Sequence, residues 1–249
     1  MKNSSQGSPS LSRRRWISFT ANKRGYYSLI IFLIFFLLSL FAEVISNDKP
    51  LFIRYQGAWY FPLMHTYNET VFGGDFETEA DYRDPLILNR LKTNGNFVLF
   101  PLNPHSYNSI NYHLNQPVPS PPTRENYLGT DDRGRDVLAR LIYGFRLSIL
   151  FGLSLTFIGT ILGILAGAVQ GYFGGRTDLI FQRFIEIWGA MPELYLLIIF
   201  ASIFKPSMLL LLILLSLFGW MGLSDYVRAE FLRGRNQDYV KAAKALGVG

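Results

Sequence analysis

The sequence holds no cysteine, which excludes disulfides, thiol catalysis and cysteine-based metal sites. Charge is also scarce. Asp, Glu, Lys and Arg make up 17% of the 249 residues, where an ordinary soluble domain carries about a quarter. His65, His105 and His113 are scattered through one segment without ligand spacing, so no metal site is expected. There is no Gly-x-x-x-x-Gly-Lys-Ser/Thr loop, and ATP is not bound by that route. No serine stands in a nucleophile-elbow context. Asp131-Asp132-Arg133-Gly134-Arg135-Asp136 superficially looks like a calcium loop. It lacks the alternate acids and the distal Glu, and two arginines intrude. The expectation is a chain with no cofactor, no metal and no catalytic constellation.

Long apolar runs are abundant. Ser28 to Ala42, Leu147 to Val169 and Ser207 to Leu223 contain no charge, and Ile187 to Phe204 contains only Glu193. A helix needs roughly 20 apolar residues to cross the hydrocarbon of a bilayer. Runs this long argue for membrane spans over buried helices of a soluble protein. The first run is followed by Ala42-Glu43-Val44, which is not a clean cleavage site, so it reads as an uncleaved span. Lys2, Arg13, Arg14, Arg15, Lys23 and Arg24 precede it with no acid before Glu43, which places the N-terminus in the cytoplasm. The net charge of +6 then reflects topology; no basic face is tied to aromatic stacking, so nucleic acid is not an expected partner.

These signals divide the chain into a cytoplasmic tail (1–25), a first span (26–45), a periplasmic segment (46–146), a second span (147–169) and a cytoplasmic loop (170–186). A third span (187–204), a short turn (205–206), a fourth span (207–224) and a cytoplasmic end (225–249) follow. The periplasmic segment is aromatic and polar, then Pro-rich at Pro117 to Pro122. Ala58 to Phe61 and Asn96 to Phe100 are strand-like pieces within it.

Gly159, Gly163, Gly167 and Gly171 recur every four residues, with Gly152 one heptad earlier, so one helix face admits a close neighbour. At the cytoplasmic end of the third span, just before it, Arg183 and Glu186 can pair at i,i+3. Glu193 follows Pro192, and an acid at mid-membrane costs about 2.5–3.5 kcal/mol on insertion scales. It lines a pathway or bonds a neighbouring span; the sequence supports both. At the end of the chain Asp238 can cap a short helix on which Tyr239, Ala242, Ala243 and Leu246 share a face and Gly247 is a terminator. Nothing else in this chain is left to cover that face, so a partner groove or a lipid surface is expected to.

Tyr239-Val240-Lys241-Ala242-Ala243-Lys244-Ala245-Leu246-Gly247 resembles the Glu-Ala-Ala-x-x-x-Gly loop of ABC-importer permeases, with Lys241 in place of the Glu. The run Leu128 to Gly144, which contains Gly129, Thr130, Asp131, Gly134, Arg135 and Asp136, is similar to the signature of the dipeptide/oligopeptide branch. Gly171 to Gly175, the Arg183/Glu186/Pro192 spacing and Arg228-Ala229-Glu230 agree with it. The long first loop, with Asn47-Asp48-Lys49-Pro50 and Trp59-Tyr60-Phe61-Pro62, resembles permeases of microcin C and peptide importers. The resemblance implies an all-α polytopic transmembrane bundle of the type I importer class, with four of six expected spans and a long periplasmic insertion. It also implies a second permease subunit, two ATP-binding subunits docked near Tyr239, Val240, Ala242, Ala243, Leu246 and Gly247, a periplasmic substrate-binding protein and surrounding membrane lipid. Such permeases continue for two spans past this loop, so a sequence stopping at Gly249 is expected to be a truncated product, a split-gene half or a fragment. The rival reading is a membrane-anchored periplasmic binding or sensor module.

Overall fold

The computed structural model describes residues 10–247 apart from 94, 113 and 115. His113 and the outer part of the N-terminal tail, residues 1–9, therefore lie outside the described residues. The chain divides into two compact units, residues 1–147 and 148–249.

The first unit opens with α1 (Leu11–Ala21), started by the Ser10 side chain, which accepts from the Arg13 N–H. Asn22 does the same for Gly25 and starts α2 (Lys23–Leu40), long and apolar enough to cross a membrane. A single turn, α3 (Ala42–Ile45), follows. The next residues build a three-stranded antiparallel sheet in the order β2-β1-β3, from β1 (Phe52–Tyr55), β2 (Ala58–Tyr60) and β3 (Phe97–Leu99). Both strand-like pieces read from the sequence are strands, and they pair with β1, which carried no comparable signal. Register puts Tyr60 and Val98 on either side of Ile53. That face packs on the fully buried Phe72 of a 3-10 turn (Glu69–Phe72) and on Ile87 and Leu91 of α4 (Pro85–Lys92). Tyr55, Tyr60, Tyr67 and Tyr82 all meet the Phe72 ring edge-on, at centroid distances of 5.4–6.2 Å. Such contacts direct positive ring edges at its negative face. α4 begins where Asp84 accepts from the Leu86 N–H at 2.7 Å and Pro85 takes the first helical position.

The boundary between units falls inside α5 (Val137–Phe173), which is about 55 Å long at 1.5 Å per residue. Gly174, at φ +60°, ends it, and α6 (Gly175–Gly189) starts at once. The sequence suggested a loop over 170–186; the chain stays helical there except at Gly174, because a glycine in the left-handed region reverses the path within one residue. α7 (Glu193–Ile203) is bent by 68° from α6. The bend sits at Pro192, extended at ψ 110° and without an N–H to give. α8 (Met208–Gly219) and α9 (Met221–Gly234) form one apolar stretch that outlasts the expected fourth span by a further ten residues, from 224 to 234. α10 (Asp238–Ala245) closes the described chain. Its N-cap is Gln237, and Asp238 sits in the first turn, where a negative charge suits the helix dipole. Among the described residues three helices are long and apolar enough to cross a membrane, or four if the bent α6–α7 pair is one span.

Candidate functional site

In the second unit the glycine face of α5 lies against the α8–α9 stretch. A Cβ on Gly163 would lie 2.9 Å from the Trp220 carbonyl and from the Leu223 Cβ, one on Gly167 would strike the Ser224 carbonyl, and one on Gly171 would lie 2.8 Å from that of Arg228. Gly159 is looser, 3.5 Å from Gly219 O, and Gly152 faces open space. Where backbones approach this closely, side-chain polar groups bridge them. Gln170, fully buried, donates to Ser224 Oγ at 2.8 Å and to the Ala166 carbonyl at 3.1 Å. Gln182 of α6 reaches Gln170 Oε1 at 3.3 Å and Asp225 at 3.4 Å. Arg228 grips Asp178 through two nitrogens, one at 2.7 Å. Trp188 donates to the Leu217 carbonyl at 3.1 Å and stacks on Phe218. α5, α6 and α9 are thus joined by a polar seam next to the glycine contacts. Pairing satisfies groups that hydrocarbon cannot.

α10 leaves a cleft of about 360 Å³ lined by Tyr172, Phe231, Arg235, Val240 and Lys244. Val240 and Ala243 are half-buried, Ala242 is exposed, and Tyr239 and Leu246 stand 72% and 84% exposed. Gly247 takes φ +82°, the conformation of a helix terminator. Arg183 and Glu186 pair on an exposed face of α6. Glu193 is half-buried in the first turn of α7.

In the first unit the Gly-Thr-Asp to Gly-Arg-Asp run is a rigid turn that starts α5. Asp136 is fully buried. One of its oxygens accepts from Asn103 Nδ2 at 2.9 Å and from the Ala139 N–H at 2.7 Å; the other accepts from Asn126 Nδ2 at 2.8 Å. It therefore caps α5 and pins two distant loops to the cap. Asn103 also donates to Ser46 Oγ, and Ser46 Oγ to the His105 carbonyl. Asp131 accepts from the Arg133 and Arg135 N–H groups at 2.9 Å and pairs with the Arg135 and Arg140 guanidiniums. Burial pushes its carboxyl up, but these donors outweigh burial and hold it well below the usual carboxylate range. Thr130 Oγ1 accepts from the Ser120 N–H. Gly129 (φ +77°) and Gly134 (φ +78°) occupy left-handed positions, and a side chain on Gly129 would collide with the Ser120 carbonyl. Further along, Tyr143 donates to the Ser46 carbonyl, and Arg146 makes two 2.8 Å bonds to Glu43.

Sequence reasoning missed Gln170, Ser224, Asp178 and Gln182. Gln170 had a usable signal: it is the one strong amide at the end of an otherwise apolar, glycine-striped run. Asn103 and Asn126 had none, because their partner is 33 and 10 residues away.

Several helices long and apolar enough to cross a membrane, a glycine-lined helix contact and an exposed amphipathic helix define a polytopic helical membrane protein. The model of the binding-protein-dependent transport system inner membrane component matches residues 159–249, and that of the N-terminal TM domain of oligopeptide transport permease C matches residues 10–70. An inner membrane ABC transporter permease protein YejE of Escherichia coli K12 is 53% identical over 96% of this chain and 70% of its own length. A peptidoglycan transport system permease protein YejE of Agrobacterium fabrum is 46% identical over 96% of this chain and 68% of its own length. An oligopeptide transport system permease protein OppC of Haemophilus influenzae is 35% identical over 58% of this chain and 46% of its own length. The chain belongs to the family of inner-membrane permease components of binding-protein-dependent ABC transporters. It is a multi-pass inner-membrane protein and a transport component that works with other ABC subunits.

Proposed function

We propose that this permease moves peptides or peptide-like compounds inward across the membrane. The carrying observation is identity of 53% over 96% of the chain to an ABC permease, together with relatives named for oligopeptide, dipeptide and peptidoglycan transport. Its N-terminus lies in the cytoplasm, residues 46–146 face the periplasm, and α10 faces the cytoplasm. Its partners are a second permease subunit, two ATP-binding subunits and a periplasmic substrate-binding protein. The ATP-binding subunits hydrolyse ATP, and this subunit performs no covalent chemistry. Tyr239, Val240, Ala242, Ala243, Leu246 and Gly247 dock an ATP-binding subunit; the side chains of Tyr239, Ala242 and Leu246 are exposed, and those of Val240 and Ala243 are half-buried. Movement of α10 reaches the spans through α9, whose contacts with Gly163, Gly167 and Gly171 couple it to α5. Glu193, beside the Pro192 bend, lines the pathway.

Docking is tested by co-purification of the tagged chain with its ATP-binding subunits. Tyr239→Glu and Ala243→Glu should each lose the ATP-binding subunit while the permease still reaches the membrane. Full retention by both variants would overturn the coupling assignment. A membrane-anchored sensor would instead tolerate both changes and depend on residues 46–136 alone.

A further inference from the structure

The first unit carries two hollows that share Arg83. One, of about 420 Å³, is lined by Arg83, His105, Arg124, Glu125 and Tyr127. The other, of about 990 Å³, has Asp48, Asp81, Tyr82, Arg83 and Asp84 among its lining. Sites for small organic ligands hold about 300–1,000 Å³.

The smaller hollow is cationic. Arg83 Nη1 lies 2.9 Å from Nδ1 of His105, and Nε2 of His105 lies 3.1 Å from the Glu125 carbonyl. Arginine only donates, so Nδ1 accepts and Nε2 carries the hydrogen. The imidazole, 1% exposed, is bonded on both sides and holds the guanidinium in place. Among the described residues neither Arg83 nor Arg124 has an ion pair, although Glu125 lines the same wall.

The larger hollow is mainly acidic: Lys49 and Arg83 also line it, but Lys49 is paired with Glu79. Asp48 accepts from Ser109 Oγ, Asp81 from the Arg83 N–H and Asp84 from the Leu86 N–H, all uncharged donors, and none has a cationic partner among the described residues. Tyr82, 3% exposed, lines this hollow, and its hydroxyl has no hydrogen-bond partner among the described residues. A nearly buried phenol with a free donor calls for an acceptor from outside the chain.

We propose that these two hollows form one binding site for a short zwitterionic peptide, with its carboxylate at Arg83 and Arg124, its ammonium among Asp48, Asp81 and Asp84, and a peptide carbonyl on Tyr82. The proposal rests on the reading of the cargo as peptide-like. It adds that the permease itself holds that cargo outside the spans. Charge sorted by sign along a cleft orients a dipolar ligand and rejects its reverse.

The test is calorimetric titration of the full chain in lipid nanodiscs with trialanine, its N-acetylated form, its C-terminal amide and inorganic phosphate. Trialanine should bind saturably. Amidation and Arg124→Gln should each weaken it at least about tenfold, with no further loss when combined, the signature of one shared interaction. N-acetylation and Asp81→Asn should behave in the same way. Arg124 is exposed and its side chain makes no hydrogen bond or ion pair among the described residues, so its variant leaves the fold intact. Failure of trialanine to bind, equal affinity for acid and amide, or Arg124-dependent binding of phosphate alone would each overturn the proposal. Uptake of trialanine by the assembled transporter without binding to this chain would overturn the site and leave the proposed function standing. Arg124-dependent binding without uptake would support the site and count against the proposed function.

Discussion

The two units solve the problem of burying polar backbone in opposite ways. In residues 46–136 the order comes from side-chain hydrogen bonds converging on one buried acid, Asp136, beside a core in which four tyrosine rings surround Phe72. In residues 148–247 large apolar side chains such as Phe157, Ile180 and Ile203 point outward, 68% exposed, where lipid would cover them. Order there comes from removing side chains, so that glycine lets α5 touch the α9 backbone, and from a short seam of paired amides and ions. Hydrophobic burial drives only the first, because lipid is as apolar as a helix interior. The lesson is that one buried carboxyl in the first unit and one missing methyl group in the second do equivalent structural work.

The comparison breaks most visibly at Asp136. Asp136→Ala strands the Asn103, Asn126 and Ala139 donors, each at about 1–3 kcal/mol. We expect a loss above about 3 kcal/mol, read as a large fall in thermal midpoint of the purified protein, with Asp136→Asn milder. Next comes Gly167→Leu, which drives a side chain into the Ser224 carbonyl; overpacking costs about 1–3 kcal/mol. Gly152→Leu, in open space, should leave the midpoint unchanged, and equal effects at the two sites would remove glycine contact from the account. Arg228→Ala is smaller because the pair with Asp178 is partly exposed; about 1 kcal/mol is expected.

A weaker effect concerns pH. His105 is held below its ordinary value of 6.5, first by burial and then by Arg83, with Asp136 and Glu125 pulling the other way. Below that value an unfolded chain takes up a proton that the folded one refuses. The stability His105 contributes is therefore present above about pH 6.5 and lost as pH falls through its folded value. Protection of the amides flanking His105, corrected for the intrinsic pH dependence of exchange, should fall as pH drops below about 6.5, and His105→Gln should flatten that slope. A slope unaffected by the substitution would assign it to other groups. Smallest of all, Tyr239→Ala should not alter stability, since the ring is 72% exposed, and should act on partner binding alone.

Hydropathy made the spans legible because a bilayer sets one length scale and one polarity. The glycine period made α5's contact face legible, although it did not distinguish Gly152 from Gly167; only the crossing point of α9 does that. Helix boundaries were less legible. α5 begins ten residues before the apolar run of 147–169, because its start is set by the Asp136 cap and not by hydrophobicity. The segment 175–186 is charged yet helical, because Asp178, Gln182 and Arg183 find partners on α9, α5 and within α6. The polar seam and the Asn103–Asp136–Asn126 bonds join residues far apart in the chain, and no local pattern encodes them. The amphipathic helix α10 was readable from its spacing, and the structure separates its half-buried residues, Val240 and Ala243, from its exposed ones.

The measurement closest to the central claim is uptake. Right-side-out vesicles would carry this chain with a second permease, ATP-binding subunits and binding protein, and ATP would be supplied in the lumen, on the cytoplasmic side. The account predicts ATP-dependent inward accumulation of a labelled peptide that Ala243→Glu abolishes. Accumulation that is indifferent to ATP and to Ala243→Glu, in vesicles where every subunit is assembled, would contradict it.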